Sequence, residues 1–194
     1  VLYGISFAKH AIAANDMCFL VEGYTDVISM YRAGVQNVVS SSGTSLTVDQ
    51  IRMIKRYTPN ITILYDGDSA GIKASFRGID MILEQGMNVK VVLFPDGEDP
   101  DSFARTRRGA EVQEFIQQNA KDFIHFKIDL LLKETGRDPL KRVAVLKDFI
   151  ESISLIPDQL TRLAYVKESA DRMQMDETAI LNELNKLLRK KFTQ

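Results

Sequence analysis

The sequence predicts an α/β domain, with a mostly parallel sheet flanked by helices, followed by an all-α helical bundle. In the first half, short apolar segments closed by turn-forming residues alternate with helical segments, which is typical of a parallel sheet covered by helices. From Glu111 onward, apolar residues recur only at helical spacing. The chain has 194 residues, 45% of them hydrophobic, which suffices for one medium-sized domain or two small ones.

Four apolar segments predict the strands, because each is short, rich in β-branched or aromatic residues and followed by turn formers. They cover residues 19–21, 35–39, 61–65 and 89–94. Helical segments lie between them. Thr47 and Gln50 form a capping-box pattern at the start of one helix. Residues 70–85 place apolar side chains on one helical face, so a further helix is expected there.

The second half predicts a bundle of amphipathic helices. Asp138 and Asp158 have the residue type of helix N-caps, and Pro139 suits a first helical position. The apolar positions beyond each cap recur at helical spacing.

Composition and charge exclude several classes of protein. No apolar run reaches the about 18 residues of a membrane span, and the first residues lack the pattern of a secretory signal. The missing initiator Met leads us to expect a segment of a longer protein. Cys18 is the single cysteine, so a disulfide within the chain and a cysteine-rich zinc site are excluded, and a reducing compartment is favoured. The net charge of −1 gives no overall basic footprint for nucleic acid.

Acidic side chains follow three of the four predicted strands. They are Glu22 and Asp26, Asp66 and Asp68, and Asp99 and Asp101. The carboxyl ends of parallel strands lie at one edge of a sheet, where ligands of such sheets bind. Carboxylates collected there repel one another, and divalent cations that prefer oxygen ligands relieve this repulsion. The pattern therefore predicts a Mg²⁺ or Mn²⁺ site suited to phosphoryl transfer.

The alternative is that these acids only form turns and cap helices, which is the better interpretation for any one aspartate taken alone. It is weaker for Asp66 and Asp68, because one apolar segment delivers two carboxylates into a single turn. Glu22, after an equivalent strand, adds a third acid to this pair. The metal site is therefore our preferred hypothesis.

The residues also carry a family resemblance. The blocks FLVEGYTDV and ILYDGDSAG resemble the Toprim domain of primases, topoisomerases and some nucleases. The blocks LYGISFAKHAI, VVSSSGTSLT and VVLFPDGEDPDSF resemble the bacterial DNA primases of the DnaG type. The later block IPDQLTRLAYVKESADRMQMDETAI is similar in pattern to the helical subdomain of that family. Toprim topoisomerases carry another acid where this chain has Ala70, so the resemblance to them is poorer.

This resemblance implies a domain division and a set of site residues. Residues 1–15 would lead in from an absent polymerase half, 16–103 would form the catalytic Toprim domain, and 104–194 would form the helical subdomain. By the same resemblance, the family's catalytic metal-binding acids correspond to Glu22, Asp66 and Asp68, and further acids of the site to Asp26, Asp99 and Asp101. Whether Glu22 is a ligand or a base acting through water stays open.

The resemblance further implies the activity of a nucleotidyltransferase that makes short RNA primers at the replication fork in the bacterial cytoplasm. Its partners would be a single-stranded DNA template, ribonucleoside triphosphates and the RNA primer. A replicative helicase would bind through a region absent from this chain. Mg²⁺ or Mn²⁺ is the expected cofactor, with no zinc in this segment and no membrane partner. We expect the isolated segment to be inactive in priming.

Two alternatives and one secondary site stay open. The same acids would serve a Toprim nuclease, and a Toprim unit without catalysis would serve as a scaffold that binds DNA or protein. Lys73 and Arg77 lie one turn apart and are candidates for binding the nucleotide near a helix N-terminus, although a solvated helix face is favoured for them. Arg105, Arg107 and Arg108 are either a nucleic-acid contact or a solubilising surface cluster.

Overall fold

The computed structural model of the chain describes residues 2–42, 45–67, 69–135 and 138–192. They form helices and strands that alternate in the first half and are almost entirely helical in the second. The strands are β1 (Cys18–Val21), β2 (Val38–Ser40), β3 (Asn60–Tyr65), β4 (Asn88–Leu93) and β5 (Lys121–Asp122). The helices are α1 (Ile5–Asn15), α2 (Tyr24–Arg32), α3 (Val48–Lys55), α4 (Ser69–Glu84), α5 (Pro100–Thr106), α6 (Gly109–Asn119), α7 (Phe123–Thr135), α8 (Pro139–Leu155), α9 (Gln159–Met173) and α10 (Glu177–Phe192).

The strands of the described residues form one five-stranded sheet in the order β2-β1-β3-β4-β5. The β1 strand pairs in parallel with β2 and with β3, and β3 pairs in parallel with β4 from Asn60 opposite Asn88 to Tyr65 opposite Leu93. Most side chains of these strands are buried, because helices cover the sheet. The α/β class predicted from the alternating pattern is confirmed.

Two strands differ from the prediction by more than one residue at an end. The second begins at Val38 rather than Val35, because Val35 is buried in the turn after α2, where its amide donates to the Met30 carbonyl. The short β5 strand was not predicted, since Lys121 and Asp122 carry no apolar pattern. The predicted capping box is present, with the Gln50 amide donating to Thr47 Oγ1 at 3.3 Å.

The chain divides into two compact units, the α/β unit (Val1–Lys121) and the helical unit (Asp122–Gln194). The prediction assigned residues 104–194 to one helical subdomain, but α6 lies within the α/β unit. This helix packs closely on the end of α2: a Cβ built at Gly109 would lie 2.5 Å from the Ala33 carbonyl oxygen. The Gln113 side chain donates to the same oxygen at 3.2 Å.

The helical unit is capped as its sequence predicts. Asp138 accepts from the amides of the first turn of α8, and Asp158 accepts from the Thr161 amide at 2.7 Å at the start of α9. An unpredicted feature is the buried ammonium group of Lys127, which donates to Ser152 Oγ at 2.8 Å and Asp148 Oδ1 at 3.1 Å. Within the described ranges, no helix is both long and apolar enough to cross a membrane.

Candidate functional site

The sheet brings three acidic segments to one edge. The strands β1, β3 and β4 are parallel, and Glu22, Asp66 and Asp99 follow their carboxyl ends. The carboxyl ends of the strands that precede these acids therefore lie at one edge of the sheet. This arrangement places the acids where ligands of parallel sheets bind.

Asp26 is the most buried of these acids, with 7% of its surface exposed. It lies in the first turn of α2, and its carboxylate accepts a hydrogen bond from the Gly23 amide at 2.9 Å. Burial raises the pKa of Asp26, and the negative charges of Asp99 and Asp66 raise it further, although the hydrogen bonds from the Gly23 and Asp101 amides oppose the shift. The carboxylates of two other segments are therefore close enough to Asp26 to disfavour its charged form.

Asp99 and Asp101 have structural roles as well. Asp99 caps α5, accepting from the Ser102 amide at 2.6 Å, and the hydrogen bonds from Ser102 lower the pKa of Asp99. The carboxylate of Asp101 accepts from the Ser29 hydroxyl and forms an ion pair with Arg105 at 3.5 Å. The turn-and-cap interpretation thus applies to Asp99, but it does not account for the effect of the Asp99 charge on the pKa of Asp26.

The turn after β3 lies directly against the loop after β4. The Phe94 amide donates to the Tyr65 carbonyl at 3.0 Å, and the Gly67 amide donates to the Glu98 carbonyl at 3.1 Å. A Cβ built at Gly67 would lie 2.2 Å from the Pro95 carbonyl oxygen, so only glycine allows this contact. The backbone bearing Asp66 is therefore fixed relative to the loop bearing Asp99.

The other predicted site residues are either exposed or outside the described part of the chain. Asp68 lies outside the described residues, as does the side chain of Lys73, while Glu22 and Arg77 have exposed side chains. Among the residues that the structure describes, no group of three or more His, Cys, Asp or Glu side chains could hold a metal ion. The complete set of six acids therefore stays a prediction. The oxygen-only donors and the mutual repulsion at Asp26 fit a hard divalent cation, which would have to draw on acids beyond the described set.

Sequence reasoning missed two residues that shape this edge. Arg107 was predicted as part of a basic cluster that either contacts nucleic acid or solubilises the surface, but its guanidinium group forms two hydrogen bonds with the Glu98 carboxylate, at 2.5 and 2.9 Å. Its Cζ also lies 3.7 Å from the centre of the Phe103 ring. A glutamate and an arginine nine positions apart signal no pairing in a sequence, because the contact depends on how the loop between them turns.

Comparisons with known proteins agree with this fold. A family model described as Toprim-like matches residues 19–104, and one described as the DnaB-helicase binding domain of primase matches residues 124–178. A DNA primase of Clostridium acetobutylicum is 38% identical over 181 residues, which cover 92% of this chain and 30% of that protein. A crystal structure of a DNA primase domain from Pseudomonas aeruginosa superposes with a TM-score of 0.83 at 26% identity, covering 95% of this chain and 59% of that one.

A structure of the DnaG primase catalytic domain bound to ssDNA gives a TM-score of 0.76 at 29% identity, covering 88% of this chain and 56% of that one. The chain belongs to the DnaG-type DNA primases. The predicted family resemblance is thereby confirmed, and it extends through both units of this primase segment. The chain spans about 30% of the length of the curated primases it matches.

The second match changes the expectation for the helicase. The sequence analysis assigned helicase binding to a region absent from the chain. The model of a helicase-binding domain of primase instead matches residues inside it, within the helical unit.

Proposed function

We propose that this chain is the metal-binding catalytic portion of an enzyme that makes short RNA primers on a DNA template. The observation that carries the proposal is the convergence of carboxylates on buried Asp26, whose pKa is raised by burial and by the charges of Asp99 and Asp66. Such an arrangement costs folding stability unless a cation or substrate uses it. The DNA primases among the relatives support nucleotidyl transfer as that use.

The cation is Mg²⁺ or Mn²⁺, since the donors are carboxylates without sulfur or imidazole. Asp66 and Asp68 are the principal ligands in this proposal. Asp99, Asp101 and Asp26 supply further negative charge, and Glu22 is either a ligand or a base. Bound there, the cation supplies charge neutralisation for the phosphate oxygens that react.

The chain's own residues hold this edge in a defined geometry. The Asp26 carboxylate accepts a hydrogen bond from the Gly23 amide and so fixes the start of α2 beside β1. Gly67 allows the turn after β3 to contact the loop after β4. Lys73 and Arg77 follow on the next helix, where they are the candidates for binding the triphosphate. The acids would therefore meet the nucleotide on a rigid edge rather than on mobile loops.

The substrates are a single-stranded DNA template and ribonucleoside triphosphates, with the RNA primer as product. The related DnaG primase domain bound to ssDNA supports the template. The compartment is the bacterial cytoplasm, where replicating DNA and nucleotides are present. Because the chain spans about 30% of its curated relatives, the segment alone is expected to bind metal but not to prime.

The metal site is tested by calorimetric titration of the chain with Mn²⁺ beside the Asp66→Asn/Asp68→Asn double variant. Binding by the parent that the variant loses is the expected result. Asp49→Asn is the matched control, because Asp49 is an almost fully exposed carboxylate on α3. Equal binding by parent and double variant, or no binding by either, would contradict the site assignment.

The activity is tested in a full-length protein that contains this segment, with a single-stranded template and labelled ribonucleoside triphosphates. Template-dependent RNA that disappears in the Asp66→Asn/Asp68→Asn protein is expected. DNA cleavage without nucleotides would instead indicate the nuclease alternative. Absence of both activities and of Mn²⁺ binding would indicate the scaffold.

The helical unit is the proposed docking region for the replicative helicase. Support comes from the matched helicase-binding family model over residues 124–178. Pull-down of the helicase by residues 122–194 alone tests the unit, after circular dichroism has confirmed that this piece is helical. Retention by residues 1–121 only would place the contact elsewhere.

A further inference from the structure

Arg107 connects three parts of the α/β unit. Its guanidinium group donates two parallel hydrogen bonds to the carboxylate of Glu98 and lies over the ring of Phe103. Phe103 is buried, with its ring centre 4.9 Å from that of Phe94 and 4.6 Å from that of Phe115. A two-bond contact between Arg and a carboxylate fixes orientation as well as distance. Arg107 is therefore anchored on the aromatic core and holds Glu98 in one orientation.

Glu98 in turn holds the turn after β3. Its carbonyl accepts the Gly67 amide at 3.1 Å, and its own amide donates to the Pro95 carbonyl at 2.9 Å. The Pro95 carbonyl is also the atom that leaves no room for a side chain at Gly67. Glu98 is thus hydrogen-bonded to Gly67 in the turn after β3 and to Pro95 in the loop after β4. Asp66 directly precedes Gly67, and Asp99 directly follows Glu98.

We propose that Arg107 is a positioning residue that sets the separation of the Asp66 turn from the Asp99 loop, acting through Glu98. The inference rests on the proposed metal site at this edge. Arg107 holds the loop on which Asp99 lies and, through Glu98, the hydrogen-bond partner of the amide next to Asp66. Residues that orient metal ligands typically contribute about 10–100-fold to metal affinity. We therefore expect Arg107→Gln to weaken Mn²⁺ binding about tenfold.

The direction of the change in Mn²⁺ affinity distinguishes a positioning role from a simple effect of charge. Removing a positive charge beside an acidic site should strengthen cation binding, because a repulsion between like charges is lost. Positioning predicts the opposite, weaker binding. Arg108→Gln is the matched control: it removes the same charge one residue away, whereas the described ion pair of the Glu98 carboxylate is with Arg107. The control should therefore bind Mn²⁺ as the parent does or slightly more tightly.

The experiment is calorimetric Mn²⁺ titration of the parent, Arg107→Gln, Arg107→Lys and Arg108→Gln, with the EPR spectrum of the bound ion as a second measurement. Arg107→Lys keeps the charge but loses the two-bond geometry, so it should recover only part of the affinity. Hydrogen exchange at the Gly67 amide should be faster in Arg107→Gln. Amides in the middle of β3 should stay as protected as in the parent, which shows that the sheet is still folded.

Each outcome decides the inference. Weaker binding and faster Gly67 exchange in Arg107→Gln, with neither in Arg108→Gln, would support it. Parent-like affinity, EPR spectrum and Gly67 exchange in Arg107→Gln would overturn it and leave the metal site intact. Tighter binding in both variants would also overturn it, since charge alone would explain the result. A parent that binds no Mn²⁺ would overturn this inference together with the metal site of the proposed function.

Discussion

Replacing Gly67 with alanine tests how closely the two acid-bearing segments are packed. The new Cβ would lie 2.2 Å from the Pro95 carbonyl oxygen and 2.8 Å from Asp96 Cα. Ordinary carbon–oxygen contacts are about 3.3 Å or longer, so the loop after β4 would have to move by about 1 Å. Such a movement would also lengthen the 3.1 Å hydrogen bond from the Gly67 amide to the Glu98 carbonyl beyond the range of a hydrogen bond.

The magnitude follows from three contributions. Overpacking costs about 1–3 kcal/mol, and losing the hydrogen bond to Glu98 costs about 1 kcal/mol. Alanine restricts the unfolded chain more than glycine does, which offsets about 0.4–1 kcal/mol of this loss in the free energy of unfolding. Gly67 does not have a positive φ, so no further backbone penalty applies. We expect Gly67→Ala to destabilise the α/β unit by about 2 kcal/mol and to lower its Tm by about 8 °C.

Differential scanning calorimetry measures the Tm, and hydrogen exchange of β3 and β4 amides assigns the transition to the α/β unit. Gly78→Ala is the control, because a Cβ at Gly78, inside α4, would meet nothing within 4 Å. Alanine is the better helix former there, so this variant should be stabilised by about 1 kcal/mol. A Tm for Gly67→Ala within about 2 °C of the parent would refute the close packing at this turn.

Two further changes test other contacts of the fold. Gly109→Ala should destabilise the α/β unit by about 1–3 kcal/mol in urea unfolding, since its Cβ would lie 2.5 Å from the Ala33 carbonyl oxygen; unchanged stability would mean that α6 does not pack tightly on α2. Hydrogen bonds from Thr161 lower the pKa of Asp158 in the folded protein. The stability that this carboxylate provides is therefore present above its unfolded pKa of about 3.9, and it is lost as the pH falls through the lower folded pKa. The stability difference between the parent and Asp158→Ala should therefore shrink as the pH falls below about 4, and a constant difference would contradict the assigned cap.

The strands that carry the site were predictable because most of their side chains are buried and apolar. Residues 61–65 and 89–94 are nearly continuous apolar runs; the first differs from β3 by one residue at its start, and the second differs from β4 by one residue at each end. The parallel arrangement then places their carboxyl ends at one edge, so the segments that carry the acids could be assigned to the same edge without a structure. Polar β5 and the buried turn at Val35 could not be inferred, since hydrophobic periodicity does not distinguish them from loops.

Helix α5 was not predicted, because the acids at its start were interpreted as candidates for a metal site. Asp99 was considered as a metal ligand, but it also caps α5 through the Ser102 amide. The arginines at the end of this helix were left as either a nucleic-acid contact or a solubilising cluster, because a sequence does not reveal that Arg107 pairs with Glu98. Side-chain contacts of this kind depend on the exact path of a short loop, whereas strand and helix patterns depend on many residues at once.

The same side chains thus contribute to folding and to the proposed chemistry. Substitutions at the site must therefore be chosen so that the two contributions can be measured separately. Asp99 caps α5, and Asp26 accepts an amide at the start of α2, so an alanine at either position would disturb a helix start as well as the charge. Asparagine has nearly the same shape and is as good an N-cap as aspartate, but it carries no charge. A loss of Mn²⁺ binding in an asparagine variant that keeps its Tm would therefore report on the charge alone. The capping role and the ligand role are not competing explanations, because the backbone contacts that place these carboxylates at the sheet edge are what make a shared cation site possible.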